Sequence, residues 1–156
     1  MFSAENALPE SSESASRVST TQGEHGRQRD RHRRPLGRAG ENFAVAHLLA
    51  RGFTLLTRNY RTPAGEIDLI ACHRSTLVFV EVKTRRWETS AAPVSNSPLI
   101  WISARQVRRS RRVARVYLND KQHTRPSTCD IRFDAIGVLI DPQGALVNLE
   151  HIEGIA

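Results

Sequence analysis

The chain has 156 residues, of which 39% are hydrophobic, and it carries a formal charge of +7. This size and apolar content suit one domain with a single mixed core. The basic charge favours a polyanionic partner such as nucleic acid. The sequence has no long apolar segment of the kind that spans a membrane or directs export. We therefore predict a cytoplasmic protein that does not enter membranes.

Residues 1–34 contain many Ser, Glu, Arg and Gln residues and hardly any large apolar side chains. Such a segment cannot bury enough surface to offset the entropy cost of ordering it. We predict a disordered, polar and Arg-rich tail over residues 1–34 and a folded domain over residues 35–156. The arginines that end the tail are either a non-specific phosphate-binding arm or solvated residues without a role.

The first predicted helix runs from Gly37 to Arg51 and stops at Gly52. With about 100° of rotation per residue, Glu41 falls in the middle of its apolar stripe. A carboxylate on a core-facing stripe is costly unless it is paired or bound to a metal. The alternative is a glutamate that the helix dipole favours near the N-terminus and that turns out to water. The stripe consists of Ala44, Val45, Leu48 and Leu49.

A predicted β-hairpin at residues 65–83 carries the candidate chemistry. It follows a strand over residues 53–60, and charged and apolar residues alternate along both of its arms. A turn at residues 73–76 sets Asp68 opposite Glu81. Facing Cβ atoms lie about 4.5 to 5.5 Å apart, and like charges there destabilise the sheet. We therefore expect a cation, and a hard divalent ion such as Mg²⁺, or Mn²⁺, prefers these oxygen ligands and keeps positions open for phosphate.

Lys83 lies two residues beyond Glu81 on the same face, about 6 to 7 Å along the strand. It is one of two lysines in a chain with 21 arginines, and a compact ammonium does chemistry that a guanidinium cannot. It could reach a water molecule or a phosphate beside the metal. In the alternative interpretation, Glu66 pairs with Lys83 across the hairpin and the other two acids point into solvent.

A second amphipathic helix is predicted over residues 103–119, with an apolar side that includes Val107, Ala114, Tyr117 and Leu118. Five arginines fall within an arc of about 120° on its other side. Charge runs are often solvated faces, but a ridge of one sign repels itself and favours a nucleic-acid backbone as counter-charge. The five residues of this arginine ridge are Arg105, Arg108, Arg109, Arg112 and Arg115.

Two strands, over residues 132–140 and 145–151, complete the predicted fold. It is an α/β fold with a mixed sheet of about five strands flanked by helices, in the order αβββαββ. Asp134 alternates with Phe133 in the first of these strands, and we interpret it as structural. The two cysteines, Cys72 and Cys129, form neither a disulfide framework nor a zinc pattern.

Five motifs stand out in the region from Gly37 to Ile152: Gly-Arg-Ala-Gly-Glu at 37–41, Arg58-Asn59-Tyr60-Arg61, Gly-Glu-Ile-Asp-Leu-Ile at 65–70, Phe-Val-Glu-Val-Lys-Thr-Arg at 79–85, and Arg132-Phe133-Asp134. These motifs resemble those of a known family, the YraN-like proteins. That family resembles the PD-(D/E)xK, or restriction-endonuclease-like, nucleases and the archaeal Holliday-junction resolvases.

The resemblance implies a restriction-endonuclease-like core and a set of site residues. It makes Asp68 the metal-binding aspartate, Glu81 and Lys83 the E-x-K pair, and Glu41 the extra acid on the first helix. Glu41 would bind a second ion or orient water. The chain departs from its relatives after the hairpin. They usually have a glycine in the loop over residues 86–101, and a lysine near the start of the next helix where this chain has Arg105-Gln106.

These observations predict a metal-dependent endonuclease that acts on DNA, with branched or damaged structures in recombination and repair as candidate substrates. Asp68 and Glu81 would hold the metal, and Lys83 would align or activate the attacking water. The alternative is a nucleic-acid-binding accessory protein that keeps the fold without cutting, and a structural or protein-interaction role is a third option. The sequence does not separate DNA from RNA or a monomer from a homodimer.

Overall fold

The structure is a computed structural model that describes residues 22–87, 97–120, 123 and 130–155, with the backbone alone for residues 22–34 and for Trp101. Its elements follow the predicted order αβββαββ. They are helix α1, Gln22–Ala50; strands β1, Thr54–Thr62, β2, Gly65–His73, and β3, Thr76–Arg86; a 3₁₀ helix, Pro98–Trp101; helix α2, Ala104–Asn119; and strands β4, Asp130–Ile140, and β5, Leu146–Ile152.

The five strands form one mixed sheet in the order β1-β2-β3-β4-β5. The β3/β4 pair is parallel, and the other neighbouring pairs are antiparallel. Parallel neighbours need a crossover connection, and α2 lies in that connection. The sheet confirms the predicted α/β class and is compatible with a restriction-endonuclease-like core. It places β3, which carries Glu81 and Lys83, at the centre of the sheet.

An apolar cluster packs on each face of the sheet. Helix α1 approaches β3 so closely that a Cβ atom at Gly40 would overlap the Thr84 side chain. A glycine at this position therefore lets the helix bring the next residue, Glu41, beside the sheet. The α1 cluster includes Ala44, Leu48, Leu69, Val80 and Ile136. The α2 cluster includes Ile70, Leu77, Phe79, Val113 and Tyr117.

Helix α1 differs from the prediction at its start and on its apolar stripe. It begins at Gln22 rather than Gly37, with Pro35 inside it, so its backbone includes residues 22–34 of the predicted tail. Arginine and glutamine are good helix formers, and their propensity favours a helix in a segment that is too polar to predict one from burial. Leu49, predicted on the stripe, is 53% exposed. Residues 1–21 lie outside the described part, and the division into tail and domain stays a prediction.

Helix α2 has the predicted apolar side with a small shift. Ala114 and Tyr117 are buried as expected, but Val113 is also buried while Val107 and Leu118 are only half-buried. The helix therefore presents a slightly rotated face to the sheet. Cys72 is a free thiol, and Cys129 lies outside the described residues. Across the described ranges, neither helix is both long enough and apolar enough to cross a lipid bilayer.

Candidate functional site

Asp68 lies where the backbone ladder between β2 and β3 ends. The ladder has the predicted register and runs from the turn to the Leu69/Val80 pair. Beyond that pair, the Asp68 Oδ2 atom accepts a hydrogen bond from the Val82 backbone amide at 2.7 Å. The sequence predicts that Asp68 lies directly opposite Glu81. In the structure its side chain instead bonds to the backbone of Val82, the residue after Glu81 in β3. The reason is that β2 stays paired with β1 to Gly65 while β3 stays paired with β4.

Glu81 is held by two donors on the same carboxylate oxygen. Lys83 Nζ donates to Glu81 Oε1 at 2.6 Å, and Gln106 Nε2 donates to the same atom at 3.2 Å. The side chains of Lys83 and Glu81 are 25% and 17% exposed. Within the described ranges, the Oε2 atom of Glu81 has no hydrogen-bond partner, so it is the oxygen open to a ligand.

The alternative pairing of Glu66 with Lys83 is wrong. Glu66 Oε2 accepts instead from Arg61 Nε at 3.2 Å, and both side chains of that pair are at least half exposed. Lys83 is bound to Glu81. The lysine therefore belongs to the acidic site at the end of the hairpin rather than to an ordinary cross-strand ion pair.

Glu41 reaches the same region from α1, and its side chain is only 14% exposed. Its Oε2 atom accepts from Asn59 Nδ2 at 2.9 Å and lies 3.7 Å from Arg58 Nη2. Asn59 has a φ of 52°, a left-handed conformation that asparagine tolerates better than most residues. Glu41 and Asp68 both line one cleft of about 710 Å³ between α1, β1 and the start of β2.

Burial and the neighbouring carboxylates of the site raise the pKa of Asp68. The pKa of Asp68 is raised to about 7, chiefly by burial, then by the Glu81 carboxylate and to a smaller extent by Glu41. The Val82 amide and the Lys83 ammonium lower this pKa and so act in the opposite direction. Two neighbouring carboxylates, one of which resists ionisation, form a donor set that a hard cation stabilises.

The donor types therefore fit a divalent ion, with Asp68 and Glu81 as neighbours. Within the ranges that the structure describes, no three His, Cys, Asp or Glu side chains converge closely enough to hold a metal ion. The reason lies in the partners of the acids: Glu41 turns to Asn59, and Glu81 turns to Lys83 and Gln106. The predicted three-carboxylate ligand set stays a prediction.

All five residues of the arginine ridge are exposed on α2. One of them, Arg109, also lines a small cavity with Asp68 and Glu81. The contact between α2 and the acids is fixed at the start of the helix. There, Ser103 Oγ accepts from the Gln106 backbone amide at 3.3 Å, and Gln106 Oε1 accepts from the Ser103 amide at 3.2 Å. This capping box holds the glutamine whose amide group reaches Glu81.

Gln106 is a site residue that the sequence reasoning missed. The resemblance implies only that Arg105-Gln106 stands where the relatives usually have a lysine. A Ser-x-x-Gln pattern at a helix start is the signature of a capping box, and this pattern could have predicted where the glutamine side chain lies. The contact with Glu81 could not be predicted from it, because that contact depends on how the crossover packs.

A second polar cluster surrounds Asp134, which is fully buried. Arg132 donates to both of its carboxylate oxygens at 2.9 Å, and the Gly154 amide and His151 Nε2 bond to it at 3.0 and 3.1 Å. Burial raises the pKa of Asp134, but the bonds from His151 and Arg132 outweigh it and leave the pKa below its ordinary value. These contacts tie the segment after β5 to β4, which agrees with a structural role.

The chain matches the family described as "Uncharacterised protein family UPF0102" over residues 40–138. It is 38% identical over 117 residues to a UPF0102 protein of Dictyoglomus turgidum, covering 75% of this chain and 92% of the relative. A UPF0102 protein of Parafrankia is 43% identical over 119 residues, with 76% and 93% covered. One from Mycobacterium tuberculosis is 38% identical over 124 residues, with 77% and 91% covered. The chain therefore belongs to the UPF0102 family, the YraN-like family that its motifs resemble.

Proposed function

We propose that this protein is a metal-dependent endonuclease that hydrolyses phosphodiester bonds in DNA. One observation carries the proposal: at the end of the hairpin, the neighbouring acids Asp68 and Glu81 meet a lysine whose ammonium is bound to Glu81 at 2.6 Å. Acids with one adjacent lysine provide both a place for a cation and a donor for water or phosphate. The resemblance to Holliday-junction resolvases makes branched DNA the first substrate to test.

Phosphodiester hydrolysis forms one bond from a water oxygen to phosphorus and breaks one ester P–O bond. The water loses a proton and the leaving oxygen gains one. Asp68 and the open Oε2 atom of Glu81 would hold Mg²⁺ or Mn²⁺. A bound divalent ion supplies positive charge that stabilises the scissile phosphate and acidifies water. The protein's part is to fix the two carboxylates, which it does through the Val82 amide and through Lys83 and Gln106.

Lys83 orients the attacking water or a phosphate oxygen. Its ammonium has three donors, one of which is bound to Glu81 while the side chain is still 25% exposed. Glu41 faces the same cleft as Asp68, where its carboxylate can accept a hydrogen bond from water. The bond from Asn59 engages only the Oε2 atom of Glu41, but among the described residues Glu41 does not converge with Asp68 and Glu81 on one point. Its role as a metal ligand therefore requires a rotation of the side chain.

The arginine ridge on α2 supplies affinity for the backbone. Contacts from arginine to phosphate position the duplex without reading its sequence. All five arginines are exposed, and α2 is anchored beside Glu81 through Gln106. A nucleic-acid backbone that follows the ridge is thereby led to the acids. No sequence preference is expected from such contacts.

A nucleic-acid-binding accessory protein without nuclease activity is the second candidate. One observation favours it. Glu41 and Glu81 accept hydrogen bonds from protein donors, and no three potential metal ligands converge among the described residues. The ridge could bind DNA without any use of the acids. This candidate predicts salt-dependent DNA binding that Mg²⁺ does not strengthen.

A cleavage assay separates the two candidates. Purified protein is incubated with Mg²⁺ or Mn²⁺ and with single-stranded, duplex or four-way-junction DNA, beside matched reactions in chelator. The nuclease proposal predicts metal-dependent cleavage of at least one substrate and its loss in Asp68→Asn. Binding to all three substrates without cleavage would instead support the accessory role.

A further inference from the structure

We propose that Arg109 contacts the scissile phosphate beside Asp68 and Glu81, and that Gly65 is the residue that positions it there. This inference rests on the proposed nuclease function and deepens it, because it gives one arginine of the ridge a separate role. The substrate group is a phosphodiester, and Gly65 acts only through Arg109.

The backbone of Gly65 provides the space that the Arg109 side chain occupies. A Cβ atom at this position would overlap Arg109 Nε and would lie only 2.9 Å from its Cγ. Gly65 also has a φ of 140°, which a residue with a side chain rarely adopts. A glycine at the start of β2 therefore has two effects: it permits the turn, and it lets the stem of Arg109 lie directly on the strand that leads to Asp68.

Arg109 reaches the acidic site from this position. With Glu66, Asp68, Glu81 and Gln106, it lines a cavity of about 40 Å³ between α2 and the hairpin. A cavity of this size has room for about one or two water molecules. The bond from Gln106 to Glu81 fixes the first turn of α2 against the site. Arg109 comes three residues later, so it lies on the same side of the helix.

The guanidinium of Arg109 is available for a ligand. Within the described ranges, Arg109 makes no hydrogen bond and no ion pair, although three carboxylates line the same cavity. Arg58 and Arg61 differ, because each is paired with a glutamate. A guanidinium has five donors in a fork that suits phosphate oxygens. Arg109 can therefore bind a phosphate without breaking a protein contact.

Location separates Arg109 from the rest of the ridge. Among the described residues, Arg109 is the one arginine that lines the small cavity. The other four ridge arginines are exposed on α2 as well, but they do not line that cavity. Those four should add affinity along the backbone, whereas Arg109 should act where negative charge develops on the reacting phosphate. The two effects are measured by DNA affinity and by single-turnover cleavage, respectively.

The test is a double-mutant cycle with Arg109→Ala and Gly65→Ala, and Arg111→Ala is the control. Arg111 is an exposed arginine of the same helix outside the ridge. Arg109→Ala should slow single-turnover cleavage at saturating DNA by about 100-fold or more, while Arg111→Ala cleaves at the wild-type rate. Gly65→Ala should also slow cleavage, but in the Arg109→Ala background it should change the rate by no more than about twofold. Two results would overturn the inference. One is cleavage by Arg109→Ala at the rate of the control; the other is a fold-loss in the double variant that equals the product of the fold-losses of the two single variants.

A second arm does not depend on cleavage. The Nε–H resonances of ¹⁵N-labelled arginines are followed while a 12-base-pair duplex is added in chelator. The Arg109 resonance should shift, the Arg111 resonance should not, and the Arg109 shift should be reduced in Gly65→Ala. If wild type cuts no DNA, the nuclease proposal fails, and this arm alone decides whether Arg109 binds phosphate. An unshifted Arg109 resonance would refute the inference.

Gly65→Ala strains the turn, so its folding is checked by thermal melting before use. If it does not fold, Arg109→Lys serves in its place. Lysine keeps the charge but loses the fork, so cleavage should be at least about tenfold slower than in wild type. Wild-type cleavage by Arg109→Lys would show that a positive charge alone suffices and would contradict a forked contact between the guanidinium and the phosphate.

Discussion

The Asp68 carboxylate accepts a hydrogen bond from the backbone amide of Val82 at 2.7 Å, where a backbone carbonyl of β2 would otherwise bond to β3. The side chain thus continues the sheet at the point where the ladder stops. The same bond holds the carboxylate beside Glu81, whose charge raises its pKa. Asp68 is therefore both part of the strand pairing and the centre of the candidate site.

The contribution of Asp68 to the stability of the metal-free protein should fall as the pH rises towards 7. The pKa of Asp68 is about 7 in the folded protein against an ordinary value of 3.8, so the folded state holds a proton that the unfolded state loses. The stability that the protonated Asp68 contributes is fully present below pH 3.8 and is lost as the pH rises to about 7. Over this range the free energy of unfolding should fall by up to about 4 kcal/mol. Asp68→Asn should flatten this dependence in urea unfolding at pH 5 and pH 8 with chelator. The control is Asp130→Asn, which removes an exposed carboxylate at the start of β4. An equal pH dependence in wild type and Asp68→Asn would contradict the assignment.

Added Mg²⁺ should stabilise the wild type and not the site variants. A ligand at 100 times its dissociation constant stabilises the folded state by about 2.7 kcal/mol. Asp68→Asn and Glu81→Gln each remove one ligand and should lose most of this gain in thermal melting, whereas Asp130→Asn should keep it. A full Mg²⁺ effect in both site variants would exclude this pair as the metal site.

The arginine ridge should determine the salt dependence of DNA binding. Replacing Arg108, Arg112 and Arg115 together by Ala should weaken binding equally for all sequences. The slope of log affinity against log salt should decrease by about 0.9 for each phosphate of duplex DNA that the variant no longer binds. Fluorescence anisotropy over a salt series measures this slope. An unchanged slope would place the backbone contacts elsewhere on the protein.

Deletion of residues 1–34 should leave the melting temperature almost unchanged. Residues 1–34 are predicted to be a polar tail outside the folded domain, and a tail of this kind adds little to the stability of the domain. Comparing deletions of 1–21 and 1–34 locates any contribution. A large loss in the longer deletion alone would mean that residues 22–34 stabilise the domain.

The register of the hairpin could be predicted because it depends on local information. Alternating side chains and a short turn fix which residues pair between β2 and β3, and the observed pairs agree up to Leu69 and Val80. The end of the ladder could not be predicted in this way. It depends on the outer neighbours of the two strands, because β2 stays paired with β1 while β3 stays paired with β4, which follows only after the crossover connection.

The same contrast holds for the rest of the site. Two acids and a lysine in the hairpin, Asp68, Glu81 and Lys83, predict a cation site from the sequence alone. Two further contacts that hold the acids come from other elements: Asn59 of β1 binds Glu41, and Gln106 of α2 binds Glu81. These contacts are set by the packing of helices on the sheet, which the periodicity of one segment does not determine.

The most direct test of the nuclease proposal compares Lys83→Ala with wild type in two assays, DNA affinity and single-turnover cleavage with Mg²⁺ and Mn²⁺. Lys121→Ala, which alters the other lysine of the chain, is the control. One cation beside the scissile phosphate adds little to binding over a long site but acts on the transition state. We expect Lys83→Ala to bind DNA almost as wild type does and to lose cleavage, while Lys121→Ala keeps both. The proposal is contradicted if wild type binds DNA but shows no Lys83-dependent cleavage with either metal on single-stranded, duplex or junction DNA.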